Sequence, residues 1–197
     1  MPDLDMQTPF SQISFPLNPK ATPEQTIAAK EMEKILSQFA ANWRVSLAAL
    51  MPSKGIFLSL GKVEVLPFEG FVKLQGDESA DYQIFEIEAL ETLCVWAMDR
   101  RIVSMVVDGM FGGHGRWTPR IQTNRPLTPI EERIRLRLWE SLANAYEGPW
   151  QALLPQRLKV LREEKEVKNL RLTHAHSPVF SAEFSLQLNQ HLFRLAF

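Results

Sequence analysis

The residues best suited to a specific contact form one short run, Gly112-Gly113-His114-Gly115-Arg116. Three glycines in four positions leave the backbone bare, so another molecule can approach it closely. The arginine adds a planar donor that suits a carboxylate or an aromatic ring. A phosphate-binding loop would precede a helix, whose N-terminal amides hold the anion, but these glycines follow the apolar end of a predicted helix. The run therefore favours contact with a protein, and its plain alternative is a turn without a ligand.

The other side chains that could do chemistry stand alone. His174 and His176 could lie on one side of a strand as two metal ligands, but they have no acidic or cysteine partner nearby in the sequence. We interpret them as a solvated loop pair, and Cys94, among apolar neighbours, as a buried thiol. The sequence has no nucleophile motif, Walker loop, G-x-G-x-x-G or H-E-x-x-H pattern. We therefore expect no enzyme activity, no cofactor and no metal ion.

The composition is that of a globular protein in a reducing compartment. The chain has 197 residues, a formal net charge of -1 and 45% hydrophobic residues, close to the roughly 45–50% of average globular domains. A single cysteine excludes a disulfide framework. The balanced charge argues against a nucleic-acid-binding protein, and no run approaches the roughly 20 apolar residues that cross a bilayer. We expect a cytoplasmic protein that neither binds nucleic acid nor inserts into a membrane.

The hydrophobic pattern predicts three helices and several strands, an α+β fold. The first helix begins at Thr22-Pro23, where a capping threonine precedes a proline at the first helical position, and it ends before Pro52. A strand with a bend at Gly61 follows it. The other strands are predicted at 83–88, 93–98, 158–167, 179–188 and 192–197.

Two more helices are predicted in the middle of the chain. One runs from Asp99 to Phe111 and ends at the glycine pair. Its predicted inner face is formed by Ile102, Met105, Val106 and Met110. The next begins with a capping box at Thr128 and runs to about Leu154, with a break near Gly148. Its charged residues, Glu131, Glu132, Arg133, Arg135, Arg137 and Glu140, are interpreted as a solvated face. The helical tryptophans, Trp43, Trp139 and Trp150, are interpreted as core or domain-contact residues rather than a binding platform.

The two halves of the chain share an order of features. Each has a Thr-Pro start of a long helix, at Thr22 and at Thr128, then a tryptophan near the helix end, a proline after it, and a Lys-Val strand. Two capping boxes alone are a common coincidence, but five features in one order indicate an internal duplication. We therefore predict two copies of helix plus strands about an approximate two-fold axis.

Two motifs flank a variable loop in the middle of the chain. Residues 107–116 read Val-Asp-Gly-Met-Phe-Gly-Gly-His-Gly-Arg, and residues 125–133 read Arg-Pro-Leu-Thr-Pro-Ile-Glu-Glu-Arg. They resemble the L/M-F-G-G-x-G-R turn and the R-x-x-T-x-I-E-x-R helix start of the FliM family of flagellar motor switch proteins. The resemblance covers about residues 24–197. It implies that family's middle domain, a pseudo-symmetric helix/sheet/helix sandwich shared with CheC-type phosphatases.

The resemblance also implies partners and a place in the cell. It implies a structural component of the flagellar motor's C-ring (switch complex), peripheral to the inner membrane at the basal body. Because the family's glycine turn contacts FliG, the partner-binding residues carried over are Gly112, Gly113, Gly115 and Arg116, and His114 at the variable position could add a polar contact. Neighbouring FliM copies are further expected partners. FliN would join through the family's C-terminal domain, which is absent from this chain.

The N-terminal segment departs from the family pattern. Residues 1–23 hold five prolines and few clustered apolar groups, so we expect a flexible arm. The family captures phosphorylated CheY with a peptide of the form L-S-Q-x-E-I-D-x-L-L. Met1–Phe15 has no such run, which puts CheY binding in doubt.

Three other functions stay open on the sequence alone. A CheC-type phosphatase would need Glu-x-x-Asn on a helix, but here Asn42 follows Phe39 and Asn144 follows Ser141 at that spacing, so we expect no phosphatase activity. A ring scaffold of a type III secretion system rarely shows both motifs so clearly. An unrelated α+β binding module would require the agreement of both motifs to be accidental.

Overall fold

The computed structural model describes residues 23–51, 55–75, 80–113, 125–151, 157–188 and 191–196. Within these ranges the chain forms four helices and six strands. The helices are α1 (Pro23–Leu50), α2 (Phe68–Gln75), α3 (Arg100–Met110) and α4 (Pro129–Trp150). The strands are β1 (Ile56–Pro67), β2 (Ala80–Ile87), β3 (Thr92–Asp99), β4 (Leu158–Glu164), β5 (Pro178–Leu188) and β6 (His191–Ala196). The predicted arm lies outside the described residues except for Pro23, which opens α1.

The six strands form one antiparallel sheet in the order β1-β5-β6-β3-β2-β4. Exchanging β1, β2 and β3 with β4, β5 and β6 gives the same order read backwards. The sheet therefore has the two-fold relation that the duplication predicts, and the predicted pseudo-symmetric fold is confirmed. The first strand of each half pairs with the hairpin of the other half, β1 with β5 and β4 with β2.

One face of the sheet is covered by α1, α3 and α4 over an aromatic core. Phe39 lies at its centre, with the ring centroids of Trp96 and Phe184 at 4.9 and 5.1 Å. The Trp43 indole donates a hydrogen bond to Ser141 Oγ at 3.1 Å, which joins α1 to α4. The tryptophans predicted for the core are all buried: Trp43, Trp139 and Trp150.

The opposite face carries a smaller core under α2, a helix that the sequence pattern does not predict. Phe68 and Phe71 of α2 are buried and their rings stack at 6.3 Å. The first amides of α2 are satisfied from a distant loop, since Phe68 N–H donates to Ser177 O at 2.9 Å and Glu69 N–H to Ala175 O at 2.9 Å. This helix is therefore specified by tertiary contacts rather than by its own sequence.

The predicted bend in β1 is confirmed. The pairing of β1 with β5 shifts register between Leu60 and Val63, on either side of Gly61. A Cβ at Gly61 would lie 3.1 Å from the Glu183 carbonyl oxygen, a tight contact, so glycine favours this close approach of the two backbones.

Some of the predictions about individual residues are wrong. Met110 is exposed rather than on the inner face of α3, because the helix ends there. The break near Gly148 is absent from the described chain, where α4 continues through Pro149 to Trp150. Glu131 and Arg135 are buried rather than solvated, because partners outside the helix cover them. None of the helices in the described ranges has the length and apolarity to span a membrane.

Candidate protein-interaction site

The glycine pair closes α3 in the way its sequence predicts. Gly112 has φ +78°, the left-handed conformation that glycine adopts without steric cost. Its N–H donates to Gly109 O at 3.3 Å, and the N–H of Gly113 donates to Asp108 O at 2.8 Å. These two bonds form a Schellman motif, which satisfies carbonyl groups at the helix end and fixes the direction in which the chain leaves it.

Gly112 is exposed, and the space beside its α-carbon is open. A Cβ built at Gly112 would meet no atom within 4 Å, whereas one at Gly113 would overlap the Asp108 carboxylate. Phe111 is 73% exposed and Met110 is 40% exposed, so two large apolar side chains lie directly before the turn. An exposed aromatic residue beside uncovered backbone is a feature of protein-binding surfaces.

Three helix ends meet at this corner of the molecule. Helices α1 and α4 run antiparallel, because Trp43 contacts Ser141 while Phe39, earlier in α1, contacts Tyr146, later in α4. The C-terminus of α1 therefore lies beside the N-terminus of α4. Gly109 of α3 approaches the same place, since a Cβ there would be 2.8 Å from the Met51 sulfur. The turn after α3 and the first turn of α4 thus belong to one end of the helical layer.

The first turn of α4 carries a buried carboxylate with partners upstream in the chain. Arg125 holds the two Glu131 oxygens with both terminal nitrogens, Nη1 at 2.7 Å from Oε2. The Thr128 backbone N–H and hydroxyl donate to the same Oε2 at 2.8 and 2.9 Å. The Arg125 hydrogen bonds, with help from Thr128 and against the effect of burial, lower the pKa of Glu131 to about 2. This is the predicted capping box, extended by an arginine that the capping pattern alone does not contain.

A second ionic cluster lies on the side of α4 that contacts β4. Arg135 is buried and bonds Glu132 on its own helix, with Nε 3.1 Å from Oε2. Its Nη1 lies 2.8 Å from Glu163 Oε2 on β4. Burial opposes the charge of Arg135, but its bonds to the two carboxylates outweigh burial and raise its pKa. This cluster joins α4 to the edge of the sheet and not to the corner.

The structure covers part of the predicted partner-binding run. Gly112 and Gly113 form the turn just described, whereas His114, Gly115 and Arg116 lie outside the described residues. The exposure of Met110 and Phe111 was not predicted, although the predicted helix end at the glycine pair was a signal for it. The burial of Glu131 was not predicted either.

The other candidate groups are dispersed. Cys94 is buried, as predicted, and burial raises the pKa of its thiol to about 12. His176 Nδ1 lies 3.4 Å from Glu69 Oε1 on an exposed surface. In the part of the chain that the structure describes, no three His, Cys, Asp or Glu side chains lie close enough together to hold a metal ion.

Solved structures share this fold. The crystal structure of the FliM middle domain from Vibrio alginolyticus matches with a TM-score of 0.71 and 18% identity, over 84% of this chain and 90% of that one. A chain of a FliG–FliM complex from H. pylori matches with a TM-score of 0.74 and 13% identity, over 90% of this chain and 94% of that one. At these identities the likeness is one of fold. It defines the class as the pseudo-symmetric FliM middle-domain fold.

The family follows from the sequence comparisons. The model of the flagellar motor switch protein FliM family matches residues 27–193, and the chain therefore belongs to that family. The FliM protein of Escherichia coli K12 is 23% identical over 142 residues, which cover 72% of this chain and 42% of that protein. The chain thus spans less than half the length of this curated relative.

Proposed function

We propose that this chain is a structural component of the flagellar motor's C-ring, in which it binds FliG through the turn at Gly112 and helps to transmit rotational switching. Membership of the FliM family supports the first part, and a similar structure, the H. pylori chain, is described as a complex with FliG. The observation that supports the site is the bare turn with Met110 and Phe111 exposed beside it. We include His114, Gly115 and Arg116 in the proposed contact because they follow Gly113 directly in the sequence.

The other partners are proposed on the family alone. Neighbouring copies of the chain would stand side by side in the ring wall, and FliN would join through a C-terminal domain of the family. The proposed location is the cytoplasmic side of the basal body, peripheral to the inner membrane. Residues 24–197 would supply the middle domain, preceded by the arm at 1–23.

The chain offers a matched pair of variants to test the site. Phe111→Ala and Phe57→Ala each remove a phenylalanine that is largely exposed, by 73% and 64%, and only the first lies beside the turn. Because neither ring is buried, we expect each change to alter the free energy of unfolding by less than about 0.5 kcal/mol. Phe111→Ala should weaken binding to the FliG middle domain by about tenfold or more, as truncation of an aromatic anchor does, and Phe57→Ala should leave it unchanged.

The measurement is isothermal titration of the folded chain with the FliG middle domain. Gly112→Asn is a useful third variant, because asparagine tolerates the left-handed conformation while filling the bare space with a side chain. If Phe111→Ala and Gly112→Asn bind FliG as tightly as the wild-type chain and Phe57→Ala do, the contact lies on another surface. No binding by the folded wild-type chain would reject the proposed FliG contact itself.

A further inference from the structure

The carboxylate of Asp108 lies directly on the glycine turn. Asp108 belongs to the last turn of α3, and its backbone carbonyl accepts the Gly113 N–H at 2.8 Å. Its side chain occupies the space that a Cβ at Gly113 would need. Asp108 is exposed and stands three residues before Phe111, a spacing that makes the two residues neighbours at the helix end. The proposed contact surface therefore contains a negative charge as well as an aromatic ring.

This position is electrostatically unfavourable for a carboxylate. The C-terminus of a helix carries a partial negative charge from its aligned peptide dipoles, which favours cations and disfavours anions in the last turn. The last turn of α3 has no basic residue, and neither has the last turn of α1, which ends beside it at Met51. Asp108 thus adds negative charge to a place that two helix ends already make negative.

The charges at the start of α4 balance one another. Arg125 pairs with Glu131, and this pair adds no net charge to the corner. Glu131 and Glu132 lie in the first turn of α4, where they offset the partial positive charge of that helix end. Among the described residues, the charge nearest the turn is therefore that of Asp108.

An acidic and an apolar group side by side suit a cationic side chain. Lysine and arginine bury their aliphatic stems along apolar surface and carry their charge at the tip. Such a stem would lie on Phe111 while its head binds the Asp108 carboxylate, and the open space at Gly112 leaves room for it. A carboxylate has about four acceptor positions, so contacts within the chain and a contact with a partner are compatible. A cation there would also relieve the repulsion between Asp108 and the helix ends.

We propose that Asp108 is a specificity-determining residue of the FliG contact, where its carboxylate binds a lysine or arginine side chain of the partner. The inference rests on the proposed FliG contact and adds the chemistry of the group that the turn receives. It gives Asp108 a role in binding that opposes its effect on the fold, because the charge that attracts the partner destabilises the helix end.

The test removes one carboxylate charge at each of two positions. Asp108→Asn keeps the size of the side chain and an oxygen that accepts hydrogen bonds, and it removes the charge. Glu140→Gln makes the same change on an exposed residue of α4, next to Ser141, where α4 contacts α1. Titration with the FliG middle domain at low salt should show about tenfold weaker binding for Asp108→Asn and no change for Glu140→Gln.

Two further measurements distinguish a partner contact from a structural role. Wild-type affinity should fall as the salt concentration rises from about 0.05 to about 0.5 M, and the affinity of Asp108→Asn should fall less, because it lacks the ion pair across the interface. The melting temperature of Asp108→Asn should equal or exceed that of the wild-type chain, because the helix end loses a repulsive charge. A structural role predicts the reverse, a lower melting temperature with an unchanged dependence on salt.

Each outcome decides one claim. Wild-type chain that does not bind FliG rejects the proposed function. Wild-type binding with equal affinity for Asp108→Asn overturns the cation contact and leaves the turn as the site. An equal loss in Glu140→Gln also overturns it, because the effect would then be one of net charge. Should Asp108→Asn fail to fold, Asp108→Glu keeps the charge, and a weaker salt dependence than that of the wild-type chain would count against the proposal.

Discussion

Aromatic side chains have opposite environments in two regions of this molecule. Around Phe39 they fill the space between helices and sheet and are sealed from water, whereas Phe111 at the corner is left in solvent. Phe39 lies within a helix and Phe111 directly follows one. The difference is the neighbour: Phe39 has partners from three other elements, Trp96, Tyr146 and Phe184, and the helix of Phe111 has just ended. Burial of apolar surface stabilises the fold at the first place, whereas the second leaves apolar surface exposed, which we propose is covered by a partner.

The largest effect is expected from Phe39→Ala. Removal of a fully buried ring leaves a cavity in the aromatic core, and the free energy of unfolding should fall by about 3–5 kcal/mol. Urea denaturation followed by tryptophan fluorescence measures it, with Phe111→Ala as the matched control. If the two substitutions cost the same, the contrast between core and corner is not real.

A smaller effect is expected at Gly109, where the corner meets the core. An alanine Cβ would lie 2.8 Å from the Met51 sulfur, so Gly109→Ala should destabilise by about 1–3 kcal/mol through overpacking. Gly148→Ala is the control, because its Cβ would be 3.5 Å from Asn42 Nδ2, an ordinary contact, and alanine favours the helix. The two melting temperatures should move in opposite directions. A rise for both would mean that Met51 yields without cost.

The smallest effect is expected from acid, and it falls on the bonds that Glu131 makes with Arg125 and Thr128. Glu131 has a pKa of about 2 in the folded chain, below its ordinary value, so its bonds contribute fully above about pH 5 and are lost as the pH falls towards 2. We expect this contribution to be about 1–2 kcal/mol at pH 7. The measurement is the difference in unfolding free energy between wild type and Glu131→Gln at pH 7 and at pH 3. If the difference does not shrink at pH 3, the stabilisation does not come from the ionised Glu131 carboxylate and its bonds to Arg125.

Much of the fold could be predicted from the sequence because its evidence is local. The capping threonine at 128, the glycine pair after α3 and the alternation in β1 each specify their own element. The duplicated order of features predicted the symmetry of the sheet. The resemblance of two motifs, at 107–116 and 125–133, predicted the family.

What could not be predicted depends on distant partners. Helix α2 depends on a distant segment, because the backbone N–H groups of Phe68 and Glu69 donate to Ser177 O and Ala175 O. Glu131 and Arg135 sit in a charge-rich stretch typical of a solvated surface, and only contacts with Arg125 and Glu163 reveal their burial. The helical period places Met110 on the inner face of α3, but Met110 is the last residue of that helix and is exposed.

The exchange of first strands between the two halves has a consequence for synthesis. Ile56 of β1 pairs with Leu188, which the ribosome adds 132 residues later. At roughly 5–20 residues per second, β1 waits about 7–26 s for the strand that completes its backbone hydrogen bonds. During translation this apolar strand has no native partner in the sheet, so the nascent chain should depend on chaperones or on fast translation more than a chain of two self-contained halves would.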